Sequence, residues 1–334
     1  DWRAGYGPIA HRSETIERMQ ALVQRLVAQR RIADEASAHA LLAAADRVAC
    51  TAMSVVAHMT YARRIDRSGC PLGSDDFKQT PEGHTGGSLN MVPAFVGYLL
   101  ANALTGTTRG WLMGQGHCVA AIEAVNALTG DVSAAQRGRY DRSEAGLSLL
   151  IADFYSYAID KQGRPAVPLG SHAGPNTAGA ISEGGYLGFA GLQYVHTPLP
   201  GESLVAFLSD GAFEEQRGSD WAPRWWRAED CGFAIPVMIL NGRRIEQRTQ
   251  IVQEGGATWL AEDLRHNGFD PVIVDGRDPM AIAWAIVEAE DTLSAFAARS
   301  DRRYPVKLPY VIAETEKGFG FPGAATNAAH NLPL

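Results

Sequence analysis

Cysteine is scarce in this chain: four in 334 residues, Cys50, Cys70, Cys118 and Cys231. They stand far apart and form no Cys-x-x-Cys pair, so neither a thiolate zinc site nor a disulfide framework is expected. Free thiols suit a reducing compartment, which makes the cytoplasm the expected location. Runs of lysine and arginine are also absent. The 30 basic and 37 acidic residues leave a net charge of −7, so nucleic acid is not an expected partner. No apolar stretch approaches the roughly 18–20 residues of a membrane span; the run Met91–Leu100 is short and holds Pro93. No secretory signal opens the sequence. A dinucleotide-binding Gly-x-Gly-x-x-Gly after an early strand is missing too. The stretch GFGFPG, 318–323, lies too late and precedes no strand, which argues against a dehydrogenase. There is no internal repeat and no low-complexity tract.

What is present is an ordinary globular composition, 46% hydrophobic and 20% charged, in a chain long enough for one large domain or two smaller ones. Its first residue is Asp1 rather than Met, and Leu334 closes no obvious terminal element. The expectation is a piece of a longer gene product. The first ninety residues read as helical. Ile16, Met19, Leu22, Val23, Leu26 and Val27 recur at helical spacing after Ser13, a candidate N-cap, and a second helix follows Asp34. Beyond Gly69, Pro71 and Gly73 the pattern becomes apolar strands alternating with helices. Strands are predicted at 110–115, 204–210, 235–241, 270–276 and 309–315. Helices are predicted at 117–128, 214–230, 257–267 and 279–297, the last capped by Asp278 with Pro279 in its first turn. Near-continuous apolar strands imply burial on both faces of a parallel sheet. The predicted fold is therefore α/β, doubly wound and mainly parallel, with helices on both faces. It divides into a helical N-terminal extension, 1–80, and an α/β domain, 81–334, forming one compact unit. Residues 131–146 read as a polar surface excursion.

Function is expected at the carboxyl ends of the strands. Asp210 ends one predicted strand in VAFLSDGAFEEQ, and Asn241 ends the next, 31 positions later. That is one βαβ unit of roughly 30 residues, so both side chains should emerge at one edge of the sheet. A carboxylate beside an amide oxygen suits a hard cation such as Mg²⁺, which takes few protein ligands and completes its shell with phosphate and water. Gly211 and Gly242 would let backbone approach a diphosphate. Taken singly, Asp-Gly and Asn-Gly are turn dipeptides and each reads as a turn; only as a pair at βαβ spacing after apolar strands do they read equally as a metal–diphosphate site. Four of the nine histidines sit in loops of small residues: His84 in GHTGG, His117 in GQGHC, His172 in SHAGP and His330 in AHNLP. One such histidine is a surface or packing residue; four suggest a polar pocket that handles protons. Gly184-Gly185, in ISEGGYLGFAG, serves either helix packing or an anion at a helix start.

In order along the chain, GHTGGSLNMVPAFVGYLL, GQGHCVAAIEAVNALTG, SDGAFEEQ followed by ILNGRRI, TEKGFGFP and AHNLPL resemble the diphosphate-binding domain of thiamine-diphosphate enzymes of the transketolase–phosphoketolase family. SHAGPNTAGAISEGGYLGF is similar to the phosphoketolase branch. The resemblance implies thiamine diphosphate held by Mg²⁺ (or Ca²⁺). Asp210, Asn241 and the Arg243 carbonyl would hold the metal. Gly184, Gly185, Gly211 and Lys317 would lie near the diphosphate, with Glu214 or Glu215 at an acidic position after the Asp-Gly. It implies active-site roles for His84, His117, His172 and His330, a ketose-phosphate substrate cleaved at a C–C bond, and a homodimer. The family also needs a pyrimidine-binding domain that carries an activating glutamate; this chain has no room for it, so a partner domain or subunit is implied. Ser209 stands where the family has glycine, which implies looser diphosphate binding. Ketol transfer by a split subunit, an epimerising variant and a non-catalytic binding relative remain alternatives. In WAPRWWR, 221–227, a ligand-stacking role competes with ordinary core packing. Arg243 and Arg244 read as turn residues or as phosphate ligands.

Overall fold

The computed structural model of the chain describes residues 1–163, 166–167, 199–216, 226–245 and 247–330. Helices α1 (Ser13–Ala28) and α2 (Glu35–Tyr61) open the chain, followed by α3 (Thr85–Thr105). Strand β1 (Gly110–Met113) leads to α4 (Val119–Thr129), α5 (Ala134–Arg137) and α6 (Glu144–Asp153). Strand β2 (Ser203–Ser209) runs directly into α7 (Asp210–Gln216). Next come β3 (Phe233–Leu240), a two-residue hairpin of β4 (Arg243–Arg244) and β5 (Gln247–Arg248), α8 (Gln250–Glu254) and α9 (Ala257–His266). Strand β6 (Phe269–Asp275), α10 (Pro279–Ala297) and β7 (Leu308–Glu314) complete the sheet.

The five-stranded sheet has the order β1-β2-β3-β7-β6, and every pairing is parallel. The α/β prediction therefore holds. In β2 and β3 the strand interiors are buried without alternation, as expected for strands covered on both faces. At the edge, β6 is covered less completely and leaves Asp270 and Ile273 exposed. Because the strands are parallel, the carboxyl ends of β1, β2, β3 and β7 lie along one edge. Backbone bonds carry the ladder past them: Gly114 N–H donates to the Phe207 carbonyl at 2.8 Å, and Thr315 N–H to that of Leu240 at 2.9 Å.

Local signals explain most element boundaries. Asp34 accepts from Ser37 N–H at 2.7 Å, and Asp278 from Met280 N–H at 2.8 Å, so both predicted aspartate caps form. Ser13 is not a cap: it is the first residue of α1, and Arg12 occupies the cap position. The helix predicted over 214–230 begins earlier, at Asp210, and residues 228–230 form a turn. The polar segment 131–146 lies mostly at the surface, but it buries Tyr140, which bonds Asp153 and the Ala166 carbonyl.

Two helices, α2 and α3, are long and apolar enough to cross a membrane by length and composition. The expectation of no such stretch stopped at Pro93, but Pro93 lies inside α3. The two helices pack against each other, and 50% and 78% of their most apolar windows are buried within the protein. They share a continuous core with the sheet. Beneath the opposite edge of the sheet, Arg109 is fully buried. Its guanidinium bonds both Glu290 oxygens and Asn102 Oδ1, and Glu290 also accepts from Ser203 Oγ at 2.7 Å. That network ties the starts of β1 and β2 to α3 and α10.

Candidate active site

The strand ends, the start of α3 and the segment 327–330 enclose a cleft of about 440 Å³. That volume suits a cofactor-sized ligand. Its walls include His84, His117, Asp210, Asn241, Lys317 and His330. The sequence scatters these residues over some 250 positions, and parallel topology gathers them.

Asp210 sits where β2 turns into α7 and is fully buried. Its Oδ1 accepts from Gly211 N–H at 3.0 Å. Its Oδ2 accepts from Gly242 N–H at 2.7 Å and from Thr249 Oγ1 at 3.4 Å. Burial pushes the carboxyl up to about 7 against the pull of those two N–H groups, and Glu214 pushes the same way while Lys317 opposes. A buried carboxylate in this state gains most from a cation beside it. Asn241 follows β3, and its Oδ1 accepts from Arg243 N–H at 3.1 Å. A carboxylate offers about four acceptor positions and an amide oxygen two, so both side chains keep capacity for a metal. Among the described residues no cluster of three or more His, Cys, Asp or Glu could hold an ion. One carboxylate beside one amide oxygen is a donor set that suits a cation needing few protein ligands and drawing the rest from phosphate and water, as Mg²⁺ does.

Glycines around the cleft stand where neighbouring protein atoms leave little or no room for a side chain. A Cβ on Gly211 would stand 3.0 Å from the Arg244 Cβ, and one on Gly87 would stand 2.9 Å from Cys118 Sγ. At Gly86 the constraint is absolute, because a Cβ would lie 1.9 Å from the Ala329 carbonyl oxygen. These glycines in the His-Thr-Gly-Gly stretch let α3 start hard against the segment that carries His330. Gly318 N–H donates to the Gly86 carbonyl at 3.3 Å across the same contact.

Three of the four predicted histidines meet here. The ring centroid of His84 lies 4.9 Å from that of His117 and 5.3 Å from that of His330. His84 takes the N-cap position of α3, and its N–H donates to the Tyr155 hydroxyl at 3.3 Å. His172, Gly184 and Gly185 lie outside the described residues. Lys317 is buried, with Nζ 3.0 Å from His330 Nδ1 and 3.1 Å from the Ile245 carbonyl oxygen. Burial lowers this lysine to about 8.

Other predicted residues find local employment. Glu214 accepts from Ile251 N–H at 2.7 Å, which caps α8, and the side chain of Glu215 lies outside the described residues. The Arg243 guanidinium bonds Asn327 Oδ1 and the Ala325 carbonyl, pinning the C-terminal segment to the 241–245 turn. Arg244 lines the cleft. The hydroxyl of Ser209 accepts from Ala212 N–H at 3.3 Å, so it caps α7. Trp226 is core: it packs on Phe233, Phe296 and Tyr304, and its Nε1 donates to the Gly232 carbonyl at 2.9 Å.

Sequence reasoning passed over Gln115, Cys118 and Thr249. Gln115 lines the cleft, its Nε2 donates to the Leu208 carbonyl at 2.7 Å, and its Oε1 has no hydrogen-bond partner among the described residues. Its neighbour His117 was the available signal. Cys118 is buried in the cleft wall, and burial pushes its thiol up to about 12, so it is a packing group. Thr249 carried no signal, since nothing local shows a hydroxyl reaching Asp210.

A family model described as the XFP N-terminal domain matches residues 37–329. A probable phosphoketolase of Pseudomonas putida is 26% identical over 290 residues, 79% of this chain and 35% of that protein. One from Mycolicibacterium paratuberculosis is 28% identical over 79% of this chain and 34% of its own length. One from Streptomyces coelicolor reaches 32% over a shorter span, 49% of this chain and 23% of the relative. The chain thus spans about a third or less of the curated relatives it matches. Among solved structures, a transketolase of Pichia stipitis in complex with sedoheptulose-7-phosphate aligns over 86% of this chain and 38% of its own, at 19% identity and a TM-score of 0.49. With the described motif residues gathered at one sheet edge and the family model running from residue 37 to 329, the chain belongs to the XFP N-terminal domain family, on the phosphoketolase side of the thiamine-diphosphate-dependent transketolase/phosphoketolase enzymes.

Proposed function

We propose that this chain is the thiamine-diphosphate- and Mg²⁺-binding domain, 81–334 with its helical extension 1–80, of a phosphoketolase-like enzyme that cleaves a ketose phosphate. The observation that carries the reading is Asp210: a fully buried carboxyl at the tip of β2, facing a cleft shared with Asn241, three histidines and Lys317. Asp210, Asn241 and the Arg243 carbonyl would hold the metal. Gly211 and Lys317 would flank the diphosphate, with Gly184 and Gly185 contributing from the segment outside the described residues.

When bound, thiamine diphosphate supplies the nucleophile and electron sink that C–C cleavage beside a ketone needs. The chain's own residues orient and shuttle protons. His84, His117 and His330 stand close enough for adjacent hydroxyls of one sugar to reach them together. Burial and the Lys317 charge hold His330 down to about 4, so it is a neutral imidazole near pH 7. The ammonium of Lys317 keeps the cleft positive toward a phosphorylated ligand. Complete activity requires a pyrimidine-binding domain, from the rest of the polypeptide or from a partner subunit, with a homodimer as the expected assembly.

The test is product analysis on the full-length polypeptide with thiamine diphosphate, Mg²⁺ and a ketose phosphate. Phosphoketolase action predicts acetyl phosphate that forms only when inorganic phosphate is present. Turnover that instead requires an acceptor aldose, and no phosphate, would mean ketol transfer.

A further inference from the structure

A cleft that gathers imidazoles must settle which ring nitrogen carries each proton. For His330 the neighbours decide it. Lys317 Nζ is within hydrogen-bond distance of two atoms, the Ile245 carbonyl oxygen and His330 Nδ1. The carbonyl can only accept, so one ammonium N–H points there. An ammonium has no lone pair, so its contact with Nδ1 must also be a donation. Nδ1 is then the bare nitrogen, and the ring hydrogen sits on Nε2. We propose that Lys317 is a positioning residue that fixes His330 as the neutral Nε2–H tautomer, so that His330 meets a substrate oxygen as a hydrogen-bond donor. The tautomer rests on the geometry; its role toward a ketose hydroxyl rests on the phosphoketolase-like reading.

The surroundings are consistent from every side. Lys317 is lowered by burial only to about 8, with Cys118 and Asp210 raising it and Arg243 lowering it, so it remains an ammonium at pH 7. The His84 ring meets the His330 ring edge-on. The segment carrying His330 does not depend on the lysine head group. Arg243 holds Asn327 and Ala325, and Ala325 N–H donates to the Lys317 backbone carbonyl at 2.9 Å. Removing the ammonium therefore leaves the histidine in place and frees its tautomer. This assigns Lys317 a second duty, beside the diphosphate contact that its motif implies.

The experiment is long-range ¹H–¹⁵N NMR on the full-length polypeptide labelled with ¹⁵N-histidine, at pH 6.5 and without cofactor. The His330 signals are those that disappear in His330→Gln. The expected wild-type ring has a protonated Nε2 and a bare Nδ1. Lys317→Met should lose that pattern in favour of a mixture or the Nδ1–H form, and Lys317→Arg should keep it. An Nδ1–H ring in the wild type overturns the proposal and needs no variant to fold. An unchanged Nε2–H ring in Lys317→Met overturns it equally. Because no cofactor is present, failure here is separate from failure to bind thiamine diphosphate, which would count against the functional reading.

Discussion

Asp210 shows how one residue changes meaning with its surroundings. Alone, Asp-Gly is a turn. At the end of β2 it is a buried carboxyl shared between two backbone N–H groups and open to a cleft. Spacing made the Asp210–Asn241 pair legible, because one βαβ unit returns the chain to the same edge. Gln115 and Thr249 were not legible, because their partners, the Leu208 carbonyl and the Asp210 carboxylate, are 93 and 39 positions away. Ser209 was legible only as a departure from a motif. Its hydroxyl caps α7, so it is anchored toward the helix while still lining the cleft. Replacing a cap by glycine costs only a few tenths of a kcal/mol, whereas removing a side chain from the proposed diphosphate site would relieve crowding. Ser209→Gly should therefore tighten binding of thiamine diphosphate with little loss of stability. Calorimetry that finds equal affinities would remove the idea that serine loosens the site.

Among elements, the helices and strands followed from periodicity and caps, but their lengths followed from tertiary structure. The apolar pattern of α3 runs through Pro93, which a local reading takes as a stop; packing against α2 outweighs it. His11, which has no sequence signature, is one of the residues that tie the N-terminal segment to this core. Its Nε2 lies 3.0 Å from Asp46 Oδ2 on α2, and its Nδ1 lies 3.0 Å from Asp278 Oδ2 at the cap of α10, with all three side chains buried. Burial alone would lower this histidine, but Asp278 and Asp46 outweigh it and raise it to about 10. Asp46 is itself raised by burial, against its bonds to His11. The sign follows from linkage. A group raised from about 6.5 unfolded to about 10 folded stabilises fully below pH 6.5, and that stabilisation is lost as pH rises through 10. Denaturant unfolding should show stability falling from pH 7 to 10. His11→Gln should lose about 3–5 kcal/mol at pH 7, because two buried carboxylates lose their cation, and should flatten the fall. An equal fall in both proteins would show that His11 does not carry it.

For the molecule as a whole, the parallel sheet is the device that turns distant motifs into one site. Order β1-β2-β3-β7-β6 puts Gln115, Asp210, Asn241 and Lys317 just past four strand ends, and the Gly86–Ala329 contact closes the cleft with His84 and His330. The strand set and the ordered motifs were readable from the chain. The histidine cluster was readable as a list of residues, but their mutual distances, and the coupling of Lys317 to His330, needed the fold. The Arg109–Glu290 network at the far edge stabilises the strand starts and leaves the carboxyl ends free for binding. Binding of the cofactor tests the account most directly. Thiamine diphosphate with Mg²⁺ is titrated into the full-length polypeptide and into its Asp210→Ala variant, with Tm as the readout. The account predicts a rise in wild-type Tm that corresponds to about 2.7 kcal/mol at 100 times Kd, requires Mg²⁺, and is absent in Asp210→Ala. A wild-type Tm that does not move, or an equal rise in the variant, would contradict it.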